Sequence, residues 1–264
     1  MKLSRKFKGI PAGDLRDFLE EKYLQYNTPA FIENDPISVP HRFTDLKDKE
    51  IAGFLTASIS WGRRDLILRS AGRLMEIMEN SPYDFISNAS GKELERALCF
   101  VHRTFNGHDC MFFMLALRNI YSAFNSMEDV IAEGMESGRS LGEGITFLRE
   151  KFFELPHNCR TEKHFADIRR GAAGKRLFMF LRWMVRSDGR GVDFGVWKRI
   201  KPSQLYIPLD FHSGNIARKL GLLTRKQNDF MAVEELTAIL REFDPEDPVK
   251  YDFALFGLGV NQGL

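Results

Sequence analysis

The sequence predicts an all-α fold, built as one large helical domain or as two small lobes, and three observations carry this expectation. Apolar residues recur with helical period along most of the 264 residues, while alternating runs joined by tight turns are nearly absent. Apolar residues make up 44% of the chain and charged residues 28%, a balance that supports a core and excludes wholesale disorder. With 23 phenylalanines, the helices are expected to pack through aromatic rings.

The elements follow in order. A first helix is expected from Asp14 to about Tyr26, opened by Asp14 as N-cap. Pro29, Pro36 and Pro40 then impose an ordered but irregular connection. Asp48 is expected to cap the apolar helix EIAGFLTASISW, which Gly62 ends, and another helix runs from about Asp65 to Met78. Ser81-Pro82 supplies a cap followed by proline at the first helical position. Further helices are expected at 91–99, 109–124, 126–136, 140–154 and 174–186. The segment SDGRGVDFGVW is glycine-rich and aperiodic. Asp210 opens a helix to about Leu220 with Gly221 at its C-cap, Asp229 caps one ending near Phe243, and Asp244-Pro245 starts a closing helix through DPVKYDFALFGLG.

Several function classes are disfavoured. The basic N-terminal stretch lacks the apolar run of a signal peptide, and no stretch approaches 18 uninterrupted apolar residues, so a cytoplasmic protein without membrane spans is expected. Cys99, Cys110 and Cys159 are too few for the four ligands of a usual iron–sulfur cluster and are read as buried, inert thiols. His108-Asp109, with His102 upstream, resembles the HD pair of metal phosphohydrolases, but the spacing is too short and Asp109 reads better as an N-cap. No metal or other cofactor is expected, and a monomer is.

Charge distribution says more than net charge. Residues 169–201 hold ten basic and two acidic side chains, a local +8 that leaves the rest of the chain at −6. Such a stripe is the footprint of a polyanion, with double-stranded DNA the expected partner through Arg169, Arg170, Arg176, Arg182 and Arg186, and a solvated face with interdomain ion pairs is the alternative. The stretch IPLDFHSGNIARKLGL carries the chemistry. Pro208 fixes the approach and Asp210 sits at the mouth of a helix, whose dipole favours an ionised carboxylate. His212 is expected to hydrogen-bond near Asp210.

These residues resemble the helix-hairpin-helix–GPD superfamily of DNA glycosylases. Its apolar-Pro-apolar-Asp-x-His motif and arginine-bearing helix ending in Leu-Gly-Leu stand here as Pro208-Leu209-Asp210-Phe211-His212, Arg218 and Leu220-Gly221-Leu222, with Lys219 beside the arginine. The resemblance implies that Asp210 is the catalytic carboxylate. GKRLFMFLR, residues 174–182, is similar to the Lys-x-Ala-Ser-His-Phe-Leu-Arg stretch of archaeal-type 8-oxoguanine glycosylase/lyases, which implies that Lys175 is a Schiff-base nucleophile. EIAGFLTASISWGRRDLILRSAGRLMEIM is similar to the early helix pair that plugs the gap left by a flipped base, which puts Trp61 at the plug. Phe211 and His212 would then line the base pocket. The closing DPVKYDFALFGLG is also similar to the superfamily's last helix, and the chain as a whole resembles a bacterial family known only as a domain of unknown function.

The resemblance implies a two-lobed all-α unit over 1–264, with a helical bundle at 48–165 and a catalytic lobe at 166–264 that takes in part of the N-terminal segment. It departs from the pattern twice. RRGAAGK replaces the usual Gly-apolar-Gly hairpin, with Gly171 and Gly174 at a different spacing, and Lys175 lies 35 residues before Asp210, farther than in the family, the excess being SDGRGVDFGVWKRIKPSQ. A base-excision glycosylase with or without lyase activity is therefore expected. The alternatives are a DNA-binding protein that kept the fold and lost the chemistry, and an enzyme acting on another polyanion or nucleoside.

Overall fold

The computed structural model describes residues 6–261, and these are mostly helical. The helices are α1 (Ala12–Tyr26), α2 (Ala30–Glu33), α3 (Leu46–Ser58), α4 (Arg64–Ile77), α5 (Pro82–Asn88), α6 (Gly91–Leu94), α7 (Gly107–Ala123), α8 (Met127–Gly134), α9 (Leu141–Phe152), α10 (Lys175–Val185), α11 (Phe211–Lys219), α12 (Phe230–Phe243) and α13 (Tyr251–Asn261). Strand structure among the described residues is one short antiparallel pair, β1 (Lys6–Phe7) and β2 (Ile10–Pro11), turned by Lys8 and Gly9 at positive φ. The chain forms two compact units: residues 1–31, 168–195 and 201–264 make one, and residues 32–167 with 196–200 make the other.

The unit of residues 32–167 and 196–200 is built on α3, which is buried from Glu50 to Ser58. Its core is aromatic as the composition leads one to expect: Phe113 lies 4.8 Å from Phe152, and Phe152 lies 5.2 Å from Phe165. Glu50 is buried in the same unit and accepts from Tyr121 Oη, from Met127 N at 2.9 Å and from Trp197 Nε1 at 2.5 Å. Burial pushes its carboxyl up to about 7, against the pull of those donors. Glu128 anchors the same returning segment, accepting from the backbone N–H of Arg199 at 2.5 Å and of Ile200 at 3.2 Å.

The other unit packs α1 on α13 and α13 on α11. These contacts require glycine: a Cβ at Gly257 would sit 2.2 Å from the Tyr26 ring, and one at Gly259 would sit 2.9 Å from His212 Cβ. Phe31 adds rings against Phe253 at 5.3 Å and Phe256 at 6.2 Å. Helix α10 is buried from Leu177 to Val185, so it meets solvent chiefly at its first turn.

Several boundaries differ from the sequence expectation. Helix α1 starts at Ala12 behind Pro11, with Asp14 in its first turn. Asp45, not Asp48, caps α3, and Asp48 in the first turn accepts from Tyr83 N of α5 at 2.7 Å. Asn106 caps α7, and Asp109 closes the capping box from the third position. The closing helix starts at Tyr251, since Asp244 binds the amides of Glu246 and Asp247 and holds the chain in a turn. Cys110 is buried as expected, but Cys99 and Cys159 are exposed, because each sits in a short 3-10 turn at the surface. No helix among the described residues is long and apolar enough to cross a membrane.

Candidate active site

Asp210 is placed by an extended approach rather than by a helix. Leu205, Ile207 and Leu209 alternate inward, each no more than 1% exposed, and Tyr206 packs between Phe178, tilted at 5.4 Å, and Phe230, edge-on at 5.3 Å. Arg241 donates to the carbonyls of Ser203, Gln204 and Leu205, and Ile207 N donates to Thr237 Oγ1 at 3.1 Å. This pins the segment along α12, so the chain enters α11 at a fixed angle. Asp210 then caps α11: its Oδ1 accepts from Ser213 N at 2.9 Å and from Ser213 Oγ at 3.1 Å, while Ser213 Oγ accepts from Asp210 N at 2.9 Å. Asn228 Nδ2 donates to the Asp210 carbonyl at 3.0 Å.

Lys175 arrives from the other side. Gly171 and Gly174 both take positive φ, +82° and +62°, which lets RRGAAG turn sharply into α10. The Gly171 carbonyl accepts from Phe230 N at 3.0 Å, fastening the turn to the start of α12. Lys175 is the first residue of α10, the end of a helix where a cation is least favoured. Its Nζ lies 3.6 Å from Asp210 Oδ2, the oxygen that capping leaves over, with the side chains 32% and 18% exposed. The long insertion between the two residues therefore does not keep them apart.

The insertion has a separate task that the sequence reading missed. Arg182 and Arg186, expected on a DNA surface, are 4% and 0% exposed along their side chains and lie among carboxylates. Arg186 reaches Asp188 at 2.8 Å, Asp193 at 3.0 Å and Asp247 at 2.8 Å, and its Nη2 donates to Tyr23 Oη at 2.9 Å. Arg182 reaches Asp193 at 3.2 Å and Asp252 at 2.5 Å. Asp188 and Asp193 come from the insertion, which thus neutralises two arginines inside the unit, and neither can meet a phosphate.

The other expected contacts fall as follows. Arg169, Arg170 and Lys219 are exposed, and Arg218 is partly exposed with Nη2 donating to Asn228 Oδ1 at 2.6 Å. Arg176 is partly exposed, and burial lowers its guanidinium to about 10. Phe211 is 70% exposed beside Asp210. His212 is exposed and edge-on to Phe211 at 5.8 Å, and the hydrogen bonds expected of it near Asp210 are made by Ser213 instead. Trp61 belongs to the unit of residues 32–167, where its ring stacks on His164 at 5.7 Å and meets His102 edge-on at 5.1 Å.

Asp252 was not foreseen. Burial pushes its carboxyl up to about 6; Arg182 opposes this, the Asp210 charge adds to it and the Lys175 charge subtracts from it. The signal was present as a single acidic residue inside the apolar run of α13. No group of three or more His, Cys, Asp or Glu among the described residues is arranged to hold a metal ion.

Comparison with curated proteins and with solved structures returns no match. A family profile does match, over residues 35–261, a span that takes in Lys175, Asp210 and Asp252, and the chain belongs to the family described as "Protein of unknown function (DUF2400)".

Proposed function

We propose that this protein is a DNA glycosylase that cleaves the N-glycosidic bond of a damaged base, with lyase chemistry through Lys175. The reading rests above all on the 3.6 Å approach of Lys175 Nζ to Asp210 Oδ2 from two helix starts 35 residues apart. An amine and a carboxylate held together, both reachable by solvent, are what displacement at C1′ asks for. As the C1′–N bond lengthens, the sugar gains oxocarbenium character, which the Asp210 carboxylate stabilises. The neutral Lys175 amine attacks C1′, the base leaves with the bonding electron pair, and the proton lost from the amine balances the one the base takes up. Ring opening then gives an imine. Exposed Phe211, with His212, offers a stacking face for an extruded base. Arg169, Arg170, Arg176, Arg218 and Lys219, with the turn at Gly171 and Gly174, are the candidate phosphate contacts.

The non-catalytic alternative draws on one observation: with Arg182 and Arg186 buried and the hairpin spacing altered, the DNA-facing charge is smaller than the sequence count. Borohydride trapping separates the two readings. Wild-type protein should form a covalent adduct with lesion-containing duplex, and Lys175→Ala should abolish it. Trapping that persists unchanged in Lys175→Ala removes that residue as nucleophile.

A further inference from the structure

Three consecutive residues at the entry to α12 hold both halves of the Lys175–Asp210 pair. Phe230 N donates to the Gly171 carbonyl at 3.0 Å, Asp229 and Ala172 pair as an isolated antiparallel bridge, and the Phe230 ring stacks on Phe178 at 6.1 Å. These contacts fix the turn that delivers Lys175. Asn228 Nδ2 donates to the Asp210 carbonyl at 3.0 Å, which fixes the start of α11. The asparagine is itself oriented, because Arg218 Nη2 donates to its Oδ1 at 2.6 Å while Arg218 Nε donates to the Arg225 carbonyl at 2.7 Å. Gly214 makes room for it: a Cβ there would sit 2.8 Å from Asn228 Oδ1 and 3.2 Å from its Nδ2.

Capping does not call for this amide. Helix α11 is already closed by Asp210 and Ser213, and α12 by Asp229, whose Oδ1 accepts from Ala232 N at 3.1 Å. The Asp210 carbonyl already accepts from Gly214 N at 3.0 Å. Asn228 is exposed, so its burial contributes little either. What it adds is a direct tie from the turn that carries Lys175, through Phe230, to the residue that carries the carboxylate. We infer that Asn228 is a positioning residue of the Lys175–Asp210 pair, oriented by Arg218 so that the entry to α12 sets how closely the amine and the carboxylate approach. The leverage is short. One hydrogen bond takes Asn228 to the backbone of Asp210, and two residues on, Phe230 reaches the backbone four residues before Lys175. A misplacement of about 1 Å at a reacting pair is enough to slow a reaction on the order of a hundredfold.

The inference rests on the glycosylase reading only for its catalytic consequence, because the approach exists in the unliganded chain. Competitive acylation of the full chain, read lysine by lysine by mass spectrometry, reports it, since an amine held against a carboxylate acylates more slowly than a released one. Asp210→Asn removes the partner and sets the released rate at Lys175, about two- to fivefold above wild type for a solvent-accessible pair. Asn228→Ala should bring Lys175 to that rate, with exposed Lys201 and Lys226 unchanged as internal references. Gly214→Ala keeps every donor and acceptor but displaces the Asn228 amide, and should do the same. An unchanged Lys175 rate in folded Asn228→Ala overturns the inference, and if that variant does not fold, Gly214→Ala decides. Borohydride trapping at saturating lesion duplex gives the readout that a merely structural role would not move. Asn228→Ala should slow single-turnover trapping on the order of tenfold to a hundredfold with the duplex Kd unchanged. An unchanged trapping rate, or a loss confined to Kd, also overturns it. Faster acylation in the variants without trapping by wild type on any lesion would leave Asn228 in place and remove the glycosylase reading; trapping by wild type with acylation unchanged in the variants would do the reverse.

Discussion

Asp210→Asn is the substitution that best separates a helix cap from a catalytic carboxylate. Oδ1 does the capping, accepting from Ser213 N at 2.9 Å and Ser213 Oγ at 3.1 Å, and an asparagine carbonyl oxygen accepts the same bonds. Asparagine and aspartate cap about equally well, so that contribution is retained. Oδ2 faces Lys175 at 3.6 Å, and losing so solvent-accessible a pair costs about 0.2–1 kcal/mol. Stability should therefore fall by no more than about 1 kcal/mol. Asp210→Ala, which also loses the cap, should cost roughly 1 kcal/mol more. Base release should respond on a different scale: removing one preorganised group that stabilises transition-state charge costs about 10²–10³-fold, or about 2.7–4 kcal/mol. The assay is single-turnover release from duplexes carrying oxidised, alkylated or deaminated bases, beside thermal melting of the same protein. An Asp210→Asn protein that releases its base at the wild-type rate would reduce Asp210 to a cap and refute the reasoning.

Other consequences follow from the same geometry. The Glu50 carboxyl is raised from 4.5 to about 7, so it favours the folded state fully below pH 4.5 and that contribution is lost as pH rises through 7. Urea unfolding should show stability falling over that window by up to about 3 kcal/mol, and Glu50→Gln should flatten the slope. Arg186→Met takes the cation from half-buried Asp188 and Asp247 and leaves buried Asp193 to Arg182 alone, and should cost about 3–5 kcal/mol in a thermal melt. Lys219→Ala should leave the melt within about 0.5 kcal/mol of wild type and make duplex binding less steep in salt by about one unit of the log–log slope. Equal salt slopes would take Lys219 off the DNA surface.

Helix positions were legible because capping chemistry is local. Asp210, Asp229, Gly221 and Ser81-Pro82 each mark the boundary expected of them, since a cap is decided by its own backbone and the next three residues. Asp14, Asp48 and Asp109 did not, because a second acceptor or a preceding turn competed for the same end of the helix. Lys175 and Asp210 could each be picked out by motif, but their meeting depends on Arg241 and Thr237 holding the approach to α11. The fate of the basic stripe was illegible for a related reason. Arg182 and Arg170 look alike in a charge count, and only the tertiary positions of Asp193 and Asp252 draw Arg182 away from water. Asp252 carried a sequence signal, a lone acid in an apolar helix, that composition alone passes over.

The packing of α1 on α13 bears on how the chain is born. Leu15, Leu19 and Tyr23 of α1 are buried in the finished protein, and part of that shelter comes from α13, a helix translated long after α1. Residues 32–167 form the bulk of one unit in a single continuous run and are translated between the two helices. At elongation rates of about 5–20 residues per second, the gap between α1 and α13 leaving the ribosome is on the order of ten seconds or more. During that interval α1 is without the cover that α13 provides. The Phe253 ring, 6.4 Å from that of Tyr23, therefore acts as a late latch on an early element, and chains stopped short of α13 would leave this face of α1 without that cover and more prone to aggregate.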